Sequence, residues 1–212
     1  MATVLIILVT VLFSIYGFNN EKILNRYSFS LYHIRQYRQW ERIFTSTFLH
    51  VDYFHLFFNL FSFYSFAILL ERIHGSFFVL AMFFLSALGG DLWAWFVHRK
   101  QTGYRAVGAS GAVSGVIFSA VLLLPQSGIY VFPLPISIPG WLFAMLFISI
   151  SLFGIGQADS RIGHAAHLGG AITGLFITLL FYPFLLPKRL LIIILMLIPI
   201  FVYLVYKKKK PF

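Results

Sequence analysis

One serine and several histidines lie where side chains of their type could carry out chemistry. Ser110 is part of the small-residue stretch 108-GASGAVSG-115, and His167 is part of 163-GHAAHLGG-170. A serine hydroxyl is a weak nucleophile unless a neighbouring base takes its proton, and histidine is the commonest base. The two residues could therefore form a hydrolytic centre. A serine among glycines and alanines also fits simple packing between two helices, and the stretch alone does not decide between these interpretations.

A second polar group lies in the stretch 50-HVDYFHLFFN-59. His55 and Asn59 are four residues apart, so they share one face of a helix, and His50 lies just before that helix begins. Polar side chains inside apolar spans are costly, which makes them functional candidates by default. Each one alone also fits an interhelical hydrogen bond.

The histidines allow a competing interpretation as a metal site. Zinc could be bound within a helix bundle by four of them, namely His50, His55, His164 and His167. The chain lacks an H-E-x-x-H motif, however, and only Asp52 supplies a carboxylate next to a histidine pair. We therefore expect no metal and no cofactor. His164 is interpreted as structural or as a cavity liner, and Asp91 as a third catalytic member or, alternatively, an interfacial residue facing a loop.

The composition is that of a membrane protein. Of 212 residues, 60% are hydrophobic and 10% are charged, whereas soluble domains average about 45–50% and about 25%. The chain has no cysteine, which excludes disulfides and thiolate chemistry. The net charge of +10 comes from basic residues in short gaps between apolar runs and at the end of the chain. These positions suit lipid headgroups, so we expect a lipid bilayer as partner and no nucleic acid.

The apolar runs predict an all-α polytopic membrane protein. A helix needs about 20 residues to cross the hydrocarbon layer, and lipid cannot satisfy an open backbone. We interpret the first run as a retained span, since no basic region precedes it. Seven segments fit approximately: 2–18, 53–70, 77–97, 107–124, 139–156, 164–186 and 190–206.

The direction of the spans predicts where the polar residues meet. Successive spans alternate in direction, so spans two, four and six all start on one side of the membrane. His55, Ser110 and His167 each lie within about two helical turns of such a start. We therefore expect them at a similar depth near one face of the bilayer.

Two glycine pairs predict a close helix–helix contact. Gly111 and Gly115 form G-x-x-x-G on span four, and Gly170 and Gly174 form another on span six. Small residues at this spacing allow backbones to approach in lipid. If the two faces pack together, Ser110 comes within hydrogen-bond reach of its base on span six.

The connections between spans differ in character. Residues 19–52 form a long first loop of mixed polarity, which suits a structure lying partly in the membrane interface. Residues 125–140 contain four prolines and predict a compact turn region rather than a helix. The short segment 157–163 is expected to cap an open cavity above the polar residues.

These spaced motifs resemble the rhomboid family of intramembrane serine proteases over residues 2–186. The stretch 108-GASG-111 is similar to the family's G-x-S-G, which implies that Ser110 is the nucleophile. The stretch 166-AHLGG-170 resembles its A-H-x-x-G, which implies that His167 is the base. The resemblance also implies a six-helix rhomboid-like bundle, here followed by one additional C-terminal helix.

Further residues extend the resemblance. The stretch 50-HVDYFHLFFN-59 is similar to the family's H-x4-H-x3-N. This implies that His55 and Asn59, with the amide of Ser110, stabilise the oxyanion, and that His50 holds the first loop. Structural support is expected from six positions besides Gly111 and Gly115, namely His50, Arg42, Glu71, Gly75, Gly170 and Gly174.

The sequence departs from the family pattern in three places. The family's Trp-Arg pair appears as 40-WER-42, so only Arg42 lies at the expected distance from His50. Ser114 occupies a position where many members have an aromatic residue that stacks on the base, so His167 must be held in another way. The chain divides into a core, 1–187, and an extra transmembrane helix with a basic tail, 188–212, whose role the sequence leaves open.

The expected function is hydrolysis of peptide bonds in or near transmembrane segments of membrane proteins by a serine–histidine dyad. The alternative is a non-catalytic rhomboid-like protein that binds membrane clients. We expect a multi-pass protein of the cell membrane. Its orientation is open: the positive-inside rule places the basic, active side toward the cytoplasm, whereas the resemblance implies an outward-facing site, which is the orientation we favour.

Overall fold

The computed structural model describes residues 1–130, 136–155 and 163–209. Two pairs of short strands accompany the helices, β1 (Phe29–Ser30) with β2 (Arg105–Ala106), and β3 (Gly128–Tyr130) with β4 (Ser137–Pro139). A 3-10 helix covers Ser46–Phe48. The α-helices of the described residues are α1 (Ala2–Phe18), α2 (Glu21–Tyr27), α3 (Leu31–Tyr37), α4 (Arg42–Thr45), α5 (Tyr53–His98), α6 (Ser110–Leu123), α7 (Gly140–Gly154), α8 (His164–Phe181), α9 (Leu185–Lys188) and α10 (Leu190–Lys209).

The helices lie where the apolar runs predicted them. α1, α6, α7, α8 and α10 each match one predicted segment, and α5 contains two. By length and composition, α5 and α8 are long and apolar enough to cross a membrane, whereas α1, α6, α7 and the apolar part of α10 are shorter. The predominantly helical fold is therefore confirmed, while the number of crossings stays a prediction.

The longest helix, α5, is a hairpin of two arms rather than two spans separated by a loop. Gly75, with φ +85°, is its one non-helical residue. The rings of Phe63 and Phe83 lie 5.1 Å apart, although 20 residues of straight helix would separate them by about 30 Å. The chain therefore reverses at Gly75, where a side chain would be strained. We call residues 53–74 the first arm and residues 76–98 the second arm.

Glu71 connects α1 to the reversal of the chain at Gly75. Its carboxylate accepts hydrogen bonds from the backbone N–H groups of Ala2 and Thr3 at 2.5 and 3.1 Å, and from the Ser76 hydroxyl at 2.5 Å. The first N–H groups of a helix lack partners within it, so a carboxylate there satisfies them and interacts well with the helix dipole. Glu71 thus holds three chain segments together.

The first loop, 19–52, is a compact folded unit containing α2, β1, α3, α4 and the 3-10 helix. Arg42 lies at its centre with 2% of its surface exposed, and donates to Gln39 Oε1, Asn25 O and Ser28 O at 2.7–2.9 Å. β1 pairs antiparallel with β2, opposing Phe29 with Ala106. The loop is thereby joined to the segment that leads into α6.

In the turn region after α6, residues 125–130 and 136–139 are non-helical, as predicted, and they contain a strand pair that the sequence did not reveal. β3 and β4 pair antiparallel, with Ile129 opposite Ile138. Residues 131–135 between them lie outside the described residues. So do residues 156–162, which contain nearly all of the predicted cap 157–163, and residues 210–212 of the basic tail.

The main packing unit consists of the second arm of α5, α6 and α8, which contact one another extensively. α6 lies at its centre, with every residue from Gly111 to Leu122 buried. α1 packs against α5, and α10 packs chiefly on α7. Large apolar side chains face outward, for example Phe153 and Phe201 at 70% and 71% exposure, as expected for helices surrounded by lipid.

Candidate active site

Ser110 is the first residue of α6 and is partly exposed. A helix leaves the N–H groups of its first turn without backbone acceptors. The Ser110 amide therefore points away from the helix body as an available donor, next to its own hydroxyl. Gly108, two residues earlier, has φ +124°, a conformation that favours glycine. The sequence thus turns sharply before presenting the serine.

The two glycine faces pack together, as the sequence predicted. A Cβ added to Gly170 would overlap the carbonyl oxygen of Gly111, and one added to Gly174 would overlap that of Gly115. α6 and α8 are therefore in backbone-to-backbone contact, which only residues without side chains permit. Gly111, Gly115, Gly170 and Gly174 therefore lie at the contact between the two helices.

The contact brings the segments carrying Ser110 and His167 together. A Cβ added to Gly111, the residue after Ser110, would lie 3.3 Å from the carbonyl oxygen of Ala166, the residue before His167. Within the described residues no hydrogen bond joins the Ser110 hydroxyl to the His167 ring. Catalytic hydrogen bonds are often long without substrate and tighten when it binds. The helices are therefore adjacent, while the predicted bond is not formed in this state.

His55 lies against the turn that precedes the serine. Asp52 caps the helix start by accepting from the His55 backbone N–H at 2.7 Å. A Cβ added to Gly108 would be 2.7 Å from Cε1 of the His55 ring. Gly108 therefore makes room for the His55 ring. This role was not predicted from the sequence, although a glycine two residues before the serine could have indicated it.

Asn59 lies one turn further along the same face of α5, 7% exposed. Its side-chain amide donates to the backbone oxygen of His55 at 3.0 Å. One N–H of the amide is thereby engaged, and the second has no acceptor among the residues that the structure describes.

His50 connects α1 to the serine segment, and it is completely buried. Its Nδ1 lies 2.9 Å from the Ser14 hydroxyl, which itself donates to Phe48 O. His50 Nδ1 therefore carries the proton, and Nε2 accepts from the backbone N–H of Ala109 at 3.4 Å. Burial lowers the pKa of His50 to about 3, which keeps it neutral in this arrangement. His50 therefore supports the backbone at Ala109, the residue before Ser110, as well as the first loop.

The ring of His167 stacks on Phe147 of α7, with 5.7 Å between centroids and 26° between planes. Sequence reasoning did not single out Phe147, since nothing in a single sequence relates it to His167. Ser114 stands where the resemblance would lead one to expect an aromatic residue. Its hydroxyl donates to the backbone oxygen of Ser110 at 2.7 Å.

Asp91 faces the first loop, where its Oδ2 accepts from the Ser46 hydroxyl at 3.1 Å. This agrees with the loop-facing interpretation rather than with a third catalytic member. His164 is buried against Gly154 of α7, and its ring lies 6.2 Å from that of His167. Among the described residues, no group of three or more histidine, aspartate or glutamate side chains is arranged to hold a metal ion.

Two spaces adjoin these residues. A cleft of about 250 Å³ opens beside His55 and is lined by Val51, Tyr104 and Arg105, among others. A smaller cavity of about 20 Å³ lies between Ser110 and Asp91, which is sufficient for one water molecule. The site therefore has an open cleft beside His55 and room for water close to the serine.

Comparison with known proteins identifies the family. A family model described as the rhomboid domain matches residues 37–184. The chain belongs to the rhomboid family. Rhomboid proteins are integral membrane proteins, which agrees with the apolar helices of this chain.

Several relatives carry rhomboid names. RHOMBOID-like protein 12, mitochondrial, of Arabidopsis thaliana is 28% identical over 170 residues, which cover 73% of this chain and 50% of the relative. Rhomboid protease AarA of Providencia stuartii is 30% identical over 176 residues, 76% of this chain and 62% of the relative. Rhomboid protease GluP of Bacillus subtilis is 32% identical over 138 residues, 65% and 25%. The matched regions thus span two thirds or less of each relative.

Proposed function

We propose that this rhomboid protein is an intramembrane serine protease that cleaves peptide bonds in or near transmembrane segments of membrane proteins. The observation that carries the proposal is the glycine contact between α6 and α8, which sets the helix start bearing Ser110 beside the turn of α8 bearing His167. The names of relatives such as AarA and GluP, both rhomboid proteases, support it.

In the proposed reaction, the Ser110 hydroxyl attacks the carbonyl carbon of the scissile bond and its proton passes to His167. The carbonyl oxygen becomes negatively charged, and the Ser110 amide, His55 and Asn59 are the donors proposed to stabilise it. His167 then gives its proton to the leaving amine, and the C–N bond breaks. A water molecule, deprotonated by His167, attacks the acyl carbon; the ester C–O bond breaks, and His167 returns the proton to the Ser110 oxygen as the new carboxyl end is released.

The membrane arrangement is part of the proposal. Residues 1–187 form the catalytic core with six crossings, two of them the arms of α5, and α10 adds a seventh. The cleft beside His55 admits water from the side of the membrane at which α5, α6 and α8 begin. We propose that the protein lies in the cell membrane with this side outward, and that substrate enters laterally past α7.

The test is cleavage of a labelled transmembrane peptide by purified protein. Ser110→Ala removes one oxygen atom and should reduce cleavage by at least about 10⁴-fold, as loss of a catalytic serine does elsewhere, without altering thermal unfolding. Ser65→Ala is the matched control, since its exposed hydroxyl bonds only within its own helix, to Phe61 O. Wild-type cleavage by Ser110→Ala would overturn the mechanism.

A non-catalytic client-binding protein is the second candidate, favoured by the absence of a Ser110–His167 hydrogen bond among the described residues. That function predicts that wild type and Ser110→Ala bind the peptide equally and that neither cleaves it. A chelator added to parallel reactions tests metal dependence, which the serine mechanism does not require.

A further inference from the structure

Packing against other rings holds the ring of His167 within the part of the chain that the structure describes. Among the described residues, no group donates to or accepts from its imidazole. Its flat contact is the phenyl ring of Phe147, 5.7 Å away with 26° between the planes, while His164 meets it edge-on at 6.2 Å. An offset stack of this kind is a preferred arrangement for flat rings and restricts rotation of the smaller one.

Phe147 is itself fixed from two directions. The fully buried Phe118 of α6 contacts it edge-on at 5.6 Å, and Phe143, one turn earlier on α7, stacks on it at 6.1 Å. Phe147 is thus in contact with the rings of Phe118, Phe143 and His167. These contacts connect α6, which carries Ser110, through α7 to α8, which carries His167.

The position one turn after the serine offers no such support. Ser114 is 3% exposed, and its hydroxyl bonds back to Ser110 O. It presents no ring to the histidine. Within the described residues, Phe147 is therefore the side chain that defines the plane of the imidazole.

We propose that Phe147 is a positioning residue for His167, supplied by α7, and that it keeps the imidazole directed at Ser110. This inference rests on the proposed protease function. It also means that displacement of α7 would withdraw the support of the base, so that the proposed substrate entrance and the alignment of His167 depend on the same helix.

The experiment compares replacements of Phe147 that keep or remove its ring. Phe147→Leu and Phe147→Met fill the space with aliphatic chains, and Phe147→Tyr keeps a flat ring. The control is Phe153→Leu, the same change on the same helix at a side chain 70% exposed. Two rates are measured, namely cleavage of the labelled transmembrane peptide and covalent labelling of Ser110 by a small fluorophosphonate. Labelling by the fluorophosphonate needs the base, but this small reagent can reach Ser110 without a substrate helix passing α7.

We expect Phe147→Leu and Phe147→Met to lower kcat and the labelling rate by about 10–100-fold, the scale of loss for small misplacements of catalytic groups. KM should change by less than about threefold, since a misplaced base affects the reaction rather than binding. Phe147→Tyr and Phe153→Leu should react like the wild type. A merely structural role would instead lower activity in proportion to stability and would not distinguish a ring from an aliphatic chain.

The outcomes separate this inference from the proposed function. If the wild type cleaves and labels at Ser110 while both aliphatic variants match its labelling rate, the role of Phe147 is overturned and the protease remains. If Ser110→Ala cleaves like the wild type, the protease proposal itself fails. Should Phe147→Leu fold poorly, the comparison of Phe147→Met with Phe147→Tyr decides whether a ring is required at this position.

Discussion

Two regions of this rhomboid protein are held together in opposite ways. In the glycine-packed core, formed by the second arm of α5, α6 and α8, backbones touch: a Cβ on Gly90 would be 2.7 Å from Ala166 O, and one on Gly169 would be 2.8 Å from Gly89 O. In the outer pair, α7 and α10, large side chains such as Phe153 and Tyr203 border a cavity of about 490 Å³.

The contrast separates two requirements of the proposed reaction. Ser110 lies on the glycine-packed core at a fixed helix start, and the core carries the backbone of His167 as well. Phe147, which contacts the ring of that histidine, belongs to the outer pair. The glycine-packed core thus sets the backbone positions of Ser110 and His167, whereas α7 of the outer pair provides the side-chain contact to the His167 ring.

The largest expected effect comes from adding one carbon atom to the core. Gly170→Ala would force its Cβ onto the carbonyl oxygen of Gly111, so α6 and α8 must separate. We expect the free energy of unfolding to fall by at least about 1–3 kcal/mol, the range typical of overpacking. Peptide cleavage should be lost as well. Thermal unfolding in detergent measures the first effect.

Gly103→Ala is the matched control, since a Cβ there meets nothing within 4 Å. It should change the free energy of unfolding by less than about 0.5 kcal/mol. Equal effects of the two alanines would show that the core is no tighter than an open turn.

A pH effect is expected from His50, which connects α1 to the start of α6. Its pKa is about 3 in the folded protein against 6.5 for an ordinary histidine. Between these values the unfolded chain binds one more proton, so the free energy of unfolding falls as the pH decreases from 6.5 toward 3. The slope should reach at most about 1.4 kcal/mol per pH unit.

Thermal unfolding of the wild type and of His50→Gln across this pH range isolates the contribution. The variant should be less stable at pH 7 but should lose less stability on acidification. Parallel curves for the two proteins would mean that His50 is not held neutral.

The smallest effect is expected in the outer pair. Ser149→Leu places an apolar side chain at the edge of the cavity between α7 and α10. The free energy of unfolding should change by less than about 1 kcal/mol, with a gain possible from cavity filling. A loss as large as that of Gly170→Ala would show that the two regions do not differ in packing.

Features with a periodic or apolar signature could be predicted from the sequence. Apolar runs located the helices because lipid permits few other backbone structures. The spacing of Gly111 and Gly115, and of Gly170 and Gly174, predicted a face-to-face contact that the structure contains. The roles of Ser110, His167, His55 and Asn59 remain predictions until activity is measured.

Contacts between residues distant in sequence could not be predicted in this way. Phe147 is one of 26 phenylalanines, and only the folded arrangement of α7 and α8 singles it out. The pairing of β1 with β2 joins segments of two residues each, too short for any periodic signal. The reversal at Gly75 lies between the predicted segments 53–70 and 77–97, and helical hydropathy does not reveal that one glycine can replace a loop there.

The length of α6 has a consequence for the surrounding lipid. This helix contains 14 residues and is therefore about 21 Å long, whereas the hydrocarbon layer is about 30 Å thick. It can be so short because neighbouring helices cover it on all sides and its ends need not meet lipid. A bilayer around this protein must either thin locally or leave one end of α6 below the headgroups. Acyl-chain length thus becomes a variable that sets how deep beneath the membrane surface Ser110 lies.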